Sequence, residues 1–255
     1  MNKILSDEVI VLISKYIELL GDWNSRMNLV SRKTNFHLED NFYEKLDEFL
    51  YNQKLKLECT KQDSVSLAHE KSQDSNIQDS NAKEINSNSD FMLLDTSTIA
   101  YHIANSIQII NLIDQNSIVG DVGSGNGMPG VFLSFFNFTK VFLIESNLKK
   151  ATFLNEVVHK LGLSNTEVLH KPIQECGNYQ FDFLISRAFS GSSTLESAID
   201  RVKYSKLLVF KSYNFDHSTL NTSRVLLGYG SKILELPRPP MIQTKKHRGG
   251  KFKKR

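Results

Sequence analysis

Cysteine is nearly missing from this chain. Cys59 and Cys176 are the only two in 255 residues, and they form neither a CxxC pair nor a set with histidines at ligand spacing. That excludes a disulfide scaffold and argues against a structural zinc module, leaving two ordinary thiols suited to a reducing compartment. Long apolar runs are missing too. No stretch approaches the roughly 18 apolar residues a membrane-spanning helix needs. The segment Met1–Glu8 mixes Lys3 with Asp7 and Glu8, unlike the charged-then-apolar layout of a secretory signal. The expected location is the cytoplasm, away from membrane. No internal repeat is visible, and neither a Ser/His/Asp nor a Cys/His arrangement for covalent catalysis stands out.

What is present is an ordinary globular composition with an uneven charge. The net charge is +3, yet the last twelve residues hold Lys245, Lys246, Arg248, Lys251, Lys253, Lys254 and Arg255 with no acid. Setting those seven cations aside leaves the body at −4. The tail at 237–255 is therefore read as a basic appendage suited to sequence-independent phosphate contacts, the bland alternative being a solvated terminus.

Hydrophobic spacing divides the rest. Ile10, Ile13, Ile17 and Leu20 recur at helical steps, widened by Leu12, Tyr16, Leu19 and Trp23. Ser6 is a natural N-cap with Asp7 and Glu8 in the first turn, and Gly21 is read as ending or interrupting the helix. A second amphipathic piece is expected over Asn41–Tyr51, so residues 1–51 form an N-terminal helical segment. Residues 52–90 are polar and poor in apolar side chains, and are read as a disordered insertion. Over 91–236, helix Ala100–Ile113 precedes strands at Ser117–Asp121, Lys140–Glu145, Thr166–His170, Phe181–Ser186, Lys206–Lys211 and Lys232–Leu236. Helices are expected between them at Gly130–Phe136, Leu148–Leu161, Ser193–Val202 and Asp216–Leu227. This alternation predicts an α/β domain with a mostly parallel twisted sheet and helices on both faces, carrying the N-terminal helices as an extension.

The most informative stretch is Ile118–Gly130, IVGDVGSGNGMPG, an apolar strand running through alternate glycines into an apolar helix. Glycines there permit strained torsions and close approach of a ligand to bare backbone, and Pro129 suits the first turn of a helix. Gly125-x-Gly127-x-x-Gly130 also spells the dinucleotide fingerprint, with Glu145 at the spacing of its ribose-binding acid. Two features favour S-adenosylmethionine instead. Asp121 lies two residues before the first glycine of the turn, where it would repel a pyrophosphate but tolerate the ammonium of a methionine. The glycines also begin earlier and are denser than a dinucleotide turn needs. Glu145 is positioned to accept hydrogen bonds from ribose hydroxyls, and Ile173 and Gln174 are candidates for the adenine pocket. Arg187, after the fourth predicted strand, lies where open α/β sheets hold their reactants.

Several motifs resemble one family. They are Trp23–Asn24 with Asn28–Leu29, His102–Ile103–Ala104–Asn105–Ser106, the turn Asp121–Gly130, Leu143–Ile144–Glu145–Ser146 with Lys149–Lys150 and Phe153–Leu154, Ile185–Ser186–Arg187–Ala188–Phe189, and Phe210–Lys211. In order and spacing they resemble the RsmG (GidB) family, bacterial methyltransferases acting on guanine N7 of small-subunit (16S) ribosomal RNA. The resemblance implies a Rossmann-like class I methyltransferase fold and S-adenosylmethionine as methyl donor. It implies cofactor contacts at Gly123, Met128, Ile173, Gln174 and Arg187, beside Asp121, Gly125 and Glu145. Asn105 stands where the family has Asp, residues 52–90 interrupt a region that is short in the family, and 237–255 does not look like its closing strand. The sheet is thus open to lacking a strand or to having the tail replace it.

Guanine N7 offers an in-plane lone pair and carries no proton. Direct attack on the methyl group needs no general base, so the expected contribution is alignment, with no certain catalytic residue and no metal. Arg26, Arg32, Lys33, His102, Lys149, Lys150, Lys211, Lys245, Lys246 and Arg248 are candidates for RNA contacts. The expected partner is 16S ribosomal RNA or the small ribosomal subunit, met by a monomer. Two other classes stay open on sequence grounds: a nicotinamide or flavin oxidoreductase using the same turn, and a non-catalytic RNA-binding or assembly factor.

Overall fold

The computed structural model describes residues 4–70, 84–86, 97–136, 138–187, 192–212, 214–218, 222–227 and 231–237. Helix α1 (Asp7–Arg26) begins as its sequence dictates: the Ser6 side chain accepts the Val9 amide, and Asp7 and Glu8 occupy the positive end of the dipole. Its buried stripe is Val9, Ile13, Tyr16, Ile17 and Leu20. The helix does not stop at Gly21. It continues because the residues beyond are packed: Trp23 meets Phe153 edge-on at 5.6 Å and donates from Nε1 to Glu156 at 3.1 Å. The Met27 amide then closes the end on the Trp23 carbonyl.

Helix α2 (Phe42–Glu70) corrects the reading of 52–90 as disordered from its start. The apolar stripe of Leu46, Phe49 and Leu50 is extended by buried Gln53 and Leu57 at helical spacing. Asn111 also bonds the Leu50 carbonyl at 2.9 Å and Gln53 Oε1 at 3.0 Å, satisfying polar groups that looked like surface in the sequence. Residues 84–86 of the same stretch form strand β1 (Glu84–Asn86), while 71–83 and 87–96 lie outside the described residues.

The remaining elements are α3 (Ile99–Ile107) with a 3-10 turn at Gln108–Asn111, β2 (Ile118–Val122), α4 (Gly130–Ser134), β3 (Lys140–Ile144), α5 (Leu148–Lys160), β4 (Thr166–Leu169), a 3-10 turn at Ile173–Glu175, β5 (Gln180–Ser186), α6 (Ser192–Ile199), β6 (Lys203–Lys211), β7 (Arg224–Leu227) and β8 (Lys232–Pro237). Among the described residues the sheet has eight strands in the order β1-β7-β8-β6-β5-β2-β3-β4. From β6 to β4 every pairing is parallel, and β8 is antiparallel to both β6 and β7. Strand β7 corrects the helix expected over Asp216–Leu227. Arg224–Val225–Leu226–Leu227 pairs with β8 on one side and β1 on the other, a choice set by partners distant in sequence. The sheet therefore holds an antiparallel β7–β8 pair before the basic tail begins.

Alternation along the central strands shows why both faces are covered. In β6, Leu208 and Phe210 join the large core with α1 to α5, while Leu207 and Val209 join the second core with α6 and the Ile173–Cys176 turn. In β3, Val141 and Leu143 face the first core and Ile144 the second. Strands buried on both faces read as continuous apolar runs. No helix among the described residues is long and apolar enough to cross a membrane.

Candidate active site

Asp121, Glu145, Ser186 and Arg187 all lie at or just past the carboxyl ends of the adjacent parallel strands β2, β3 and β5, where open α/β sheets collect ligands. The turn from β2 to α4 is built on Gly123, Gly125 and Gly127, with φ of 73°, 58° and 90°, torsions that side chains other than glycine rarely tolerate. A Cβ on Gly123 would stand in open space, so only its torsion demands glycine there, and the backbone is bare toward solvent. At Gly130 space is the reason. A Cβ there would collide with Leu143 Cδ2 and the Asp121 carboxylate.

The amides of this turn are almost all engaged inside the protein. Gly123 and Ser124 donate to the Ile144 carbonyl at 2.9 and 3.1 Å, and Gly127 to the Ser124 carbonyl at 2.7 Å. Gly125 donates to Glu145 Oε2 at 2.9 Å, Met128 to Asn126 Oδ1 at 3.1 Å, and Gly130 to Asp121 Oδ2 at 3.0 Å. Pro129 has no amide hydrogen to give. A phosphate cradle requires the opposite, amides left pointing at the anion. This weighs against the dinucleotide reading of the same glycines.

The two acids are held differently. Asp121 is fully buried, and its pKa is pushed up to about 7, chiefly by loss of solvent and against the pull of the Gly130 amide. Its carboxyl group thus braces the start of α4 from below. Glu145, also buried, receives the Gly125 amide on Oε2 and the Asn147 amide on Oε1 at 2.8 Å. Each carboxylate oxygen keeps a further lone pair for a ligand hydroxyl.

Arg187 reaches back to α3, donating from one terminal nitrogen to Ser106 Oγ at 2.7 Å and from the other to His102 Nδ1 at 3.3 Å. His102 is held uncharged, its pKa lowered to about 4 by burial and then by the Arg187 charge. An imidazole that accepts at Nδ1 carries its hydrogen on Nε2, so His102 acts as a neutral donor rather than a phosphate-seeking cation. Ser186 Oγ is fully buried and has no hydrogen-bond partner among the described residues.

The other expected residues are spread more widely. Met128 and Ile173 are buried within the two cores, whereas Gln174 is exposed beside Ile173. Arg26 is occupied, paired with Asp22 at 2.5 Å and lying 5.0 Å over the Trp23 ring. Arg32 donates to Asn28 Oδ1 at 2.7 Å, and Lys33 is exposed. Lys149 is exposed and Lys150 half-buried in the first turn of α5, and Lys211 lies 4.8 Å over the Phe215 ring at the end of β6. Lys245, Lys246 and Arg248 lie outside the described residues. Sequence reasoning missed Tyr16 and Ser106, both of which reach this site. Tyr16 looked like one more member of an apolar stripe, and nothing local marks its hydroxyl for another fate. Among the described residues no cluster of three or more histidines, cysteines and acids could hold a metal ion.

Residues 85–226 match the family model described as "rRNA small subunit methyltransferase G" (GidB). A protein named ribosomal RNA small subunit methyltransferase G from Syntrophomonas wolfei is 34% identical over 143 residues, covering 53% of this chain and 67% of the relative. One of the same name from Mycoplasma capricolum is 39% identical over 107 residues, covering 40% of this chain and 46% of the relative. The matched region thus spans about half to two thirds of these relatives' length. A crystal structure of a SAM dependent methyltransferase from Aquifex aeolicus covers 52% of this chain and 89% of its own at 18% identity and a TM-score of 0.43, too remote to bear on ligand or substrate. With more than half of its residues inside the matched family model, the chain belongs to the rRNA small subunit methyltransferase G family.

Proposed function

We propose that this protein binds S-adenosylmethionine at the β2–α4 turn and directs its methyl group to N7 of a guanine in small-subunit ribosomal RNA. The carrying observation is the turn itself, whose amides are engaged internally on backbone carbonyls, Asn126, Asp121 and Glu145. Such a rim suits a ligand bearing sulfonium and ammonium charges. Family membership supports ribosomal RNA as the acceptor.

The residues present fit that ligand. Gly123 offers bare backbone, Glu145 has lone pairs free for ribose hydroxyls, and the buried Ser186 hydroxyl is unpartnered among the described residues. Ile173 and Gln174 would border the adenine. Arg187 has five N–H donors, of which Ser106 and His102 engage two among the described residues, and it is proposed to hold a ligand carboxylate or an RNA phosphate. When bound, S-adenosylmethionine supplies a methyl group made electrophilic by its sulfonium.

The chain's own work is alignment and exclusion of water. No side chain has to accept a proton, because N7 has none to lose. Methylation leaves the guanine cationic, so a guanidinium facing the ring would oppose the reaction. Ser106 and His102 hold Arg187 toward α3, away from that role. Lys149, Lys150 and Lys211 are the described cations proposed to meet RNA phosphates.

The test is methyl transfer from radiolabelled S-adenosylmethionine to small-subunit RNA, both free and assembled. Transferred label should be recovered as N7-methylguanosine, with strand scission at that base after borohydride and aniline. Label in another nucleoside, or in no RNA at all, would overturn the proposal.

A further inference from the structure

The N-terminal helix reaches the ligand-binding turn through one hydroxyl. Tyr16 is fully buried on α1, and its Oη donates to the Asn126 carbonyl at 2.6 Å, across 110 residues of sequence. Burial pushes the Tyr16 phenol far above its usual range, so it keeps its proton and remains a donor at any working pH. Its ring meets Phe132 of α4 edge-on at 5.3 Å.

The bonded peptide unit is the one that needs support. It joins Asn126 to Gly127, and the φ on its Gly127 side is 90°, a torsion that only glycine adopts readily. A glycine on one side widens the orientations open to that plane, which hydrogen bonds must then fix. Its two ends are held by separate bonds: Tyr16 takes the Asn126 carbonyl, and the Gly127 amide goes to the Ser124 carbonyl. Removing the Tyr16 hydroxyl frees one end of the plane and leaves a carbonyl without its partner. The Ser124 carbonyl that accepts the Gly127 amide belongs to the peptide whose Gly125 amide rests on Glu145.

We infer that Tyr16 is a positioning residue for S-adenosylmethionine, fixing the Asn126–Gly127 peptide in the orientation that the ligand meets. This rests on the proposed function. It assigns to the N-terminal helical extension a direct part in cofactor affinity, beyond packing.

The test compares two variants of the full chain by calorimetric titration with S-adenosylmethionine, alongside urea denaturation and steady-state kinetics. Tyr16→Phe keeps the ring and removes only the hydroxyl. It should weaken S-adenosylmethionine binding about five- to tenfold, in line with loss of one buried hydrogen bond. The KM for S-adenosylmethionine should rise in parallel, with kcat at saturation and RNA affinity within twofold of the unaltered chain. Phe132→Leu disturbs the same packing and leaves the hydroxyl, so it should lower stability and leave S-adenosylmethionine affinity nearly unchanged. Two results overturn the inference: Tyr16→Phe binding the ligand as tightly as the unaltered chain, or Phe132→Leu weakening it equally. If the unaltered chain fails to bind S-adenosylmethionine, the proposed function itself falls and the inference goes with it.

Discussion

Glu145 accepts the Gly125 amide at 2.9 Å, so the tip of one strand holds the ligand-facing turn of its neighbour. The bond spans twenty residues, and it links the two positions that a fingerprint search treats as separate marks. A carboxylate there supports the turn and gives the rim its negative charge at once.

Glu145→Gln separates those two roles. The amide keeps the shape and one acceptor oxygen but loses the charge. S-adenosylmethionine affinity should fall roughly tenfold or more, about 1.4 kcal/mol, while urea denaturation shifts less than for a core substitution. Calorimetry showing an unaltered dissociation constant would remove Glu145 from the cofactor site.

Gly130→Ala should be far more damaging to folding than an exposed glycine substitution. Its methyl group would overlap Leu143 Cδ2 and the Asp121 carboxylate and Cβ, all in buried side chains. The cost expected for overpacking is about 1–3 kcal/mol. A loss below about 0.5 kcal/mol in urea denaturation would show that the α4 start can shift freely.

Asp121 makes stability fall as pH rises. Its folded pKa, about 7, is above the ordinary 3.8, so the native state holds a proton that the unfolded chain has released. The associated stabilisation is complete below about pH 4 and lost as pH climbs through 7. Asp121→Asn should remove that downward slope, as read from unfolding free energies between pH 4 and 8. An unchanged slope in the variant would contradict the burial argument.

His102 has the opposite sign. Its folded pKa, about 4, is below the ordinary 6.5, so protons bind the unfolded chain first. Its contribution is present above pH 6.5 and drains away as pH falls toward 4. The two residues therefore oppose each other across that window, and His102→Gln should steepen the net loss of stability with rising pH. If the slope flattens instead, His102 is not held neutral.

The tail tests the RNA reading from sequence alone. Deleting residues 245–255 should weaken RNA binding and reduce the slope of log affinity against log salt, by roughly 0.7–0.9 for each phosphate that the tail neutralises. An identical slope with and without the tail would assign those cations to solvation only.

Strands β2 to β6 were readable because burial on both faces writes them as apolar runs, and α1 announced itself through its stripe and the Ser6 cap. The turn at Gly123–Gly130 was readable because positive φ and close approach leave few residue choices. By contrast, α2 beyond Tyr51 was missed because Gln53 and Leu57 are buried by partners that polar composition cannot reveal. Strand β7 was missed because four residues of ambiguous period become a strand only when β8 and β1 bind both edges.

Composition, period and glycine spacing are local properties, and they alone determined the α/β class, the site's place at the strand tips and the family resemblance. Only the tertiary structure decided whether the turn's amides face outward or inward, that His102 stands beside Arg187 as a neutral donor, and that Tyr16 reaches Asn126. Those outcomes depend on desolvation and hydrogen bonding between groups up to 110 residues apart, quantities that no local window of sequence contains.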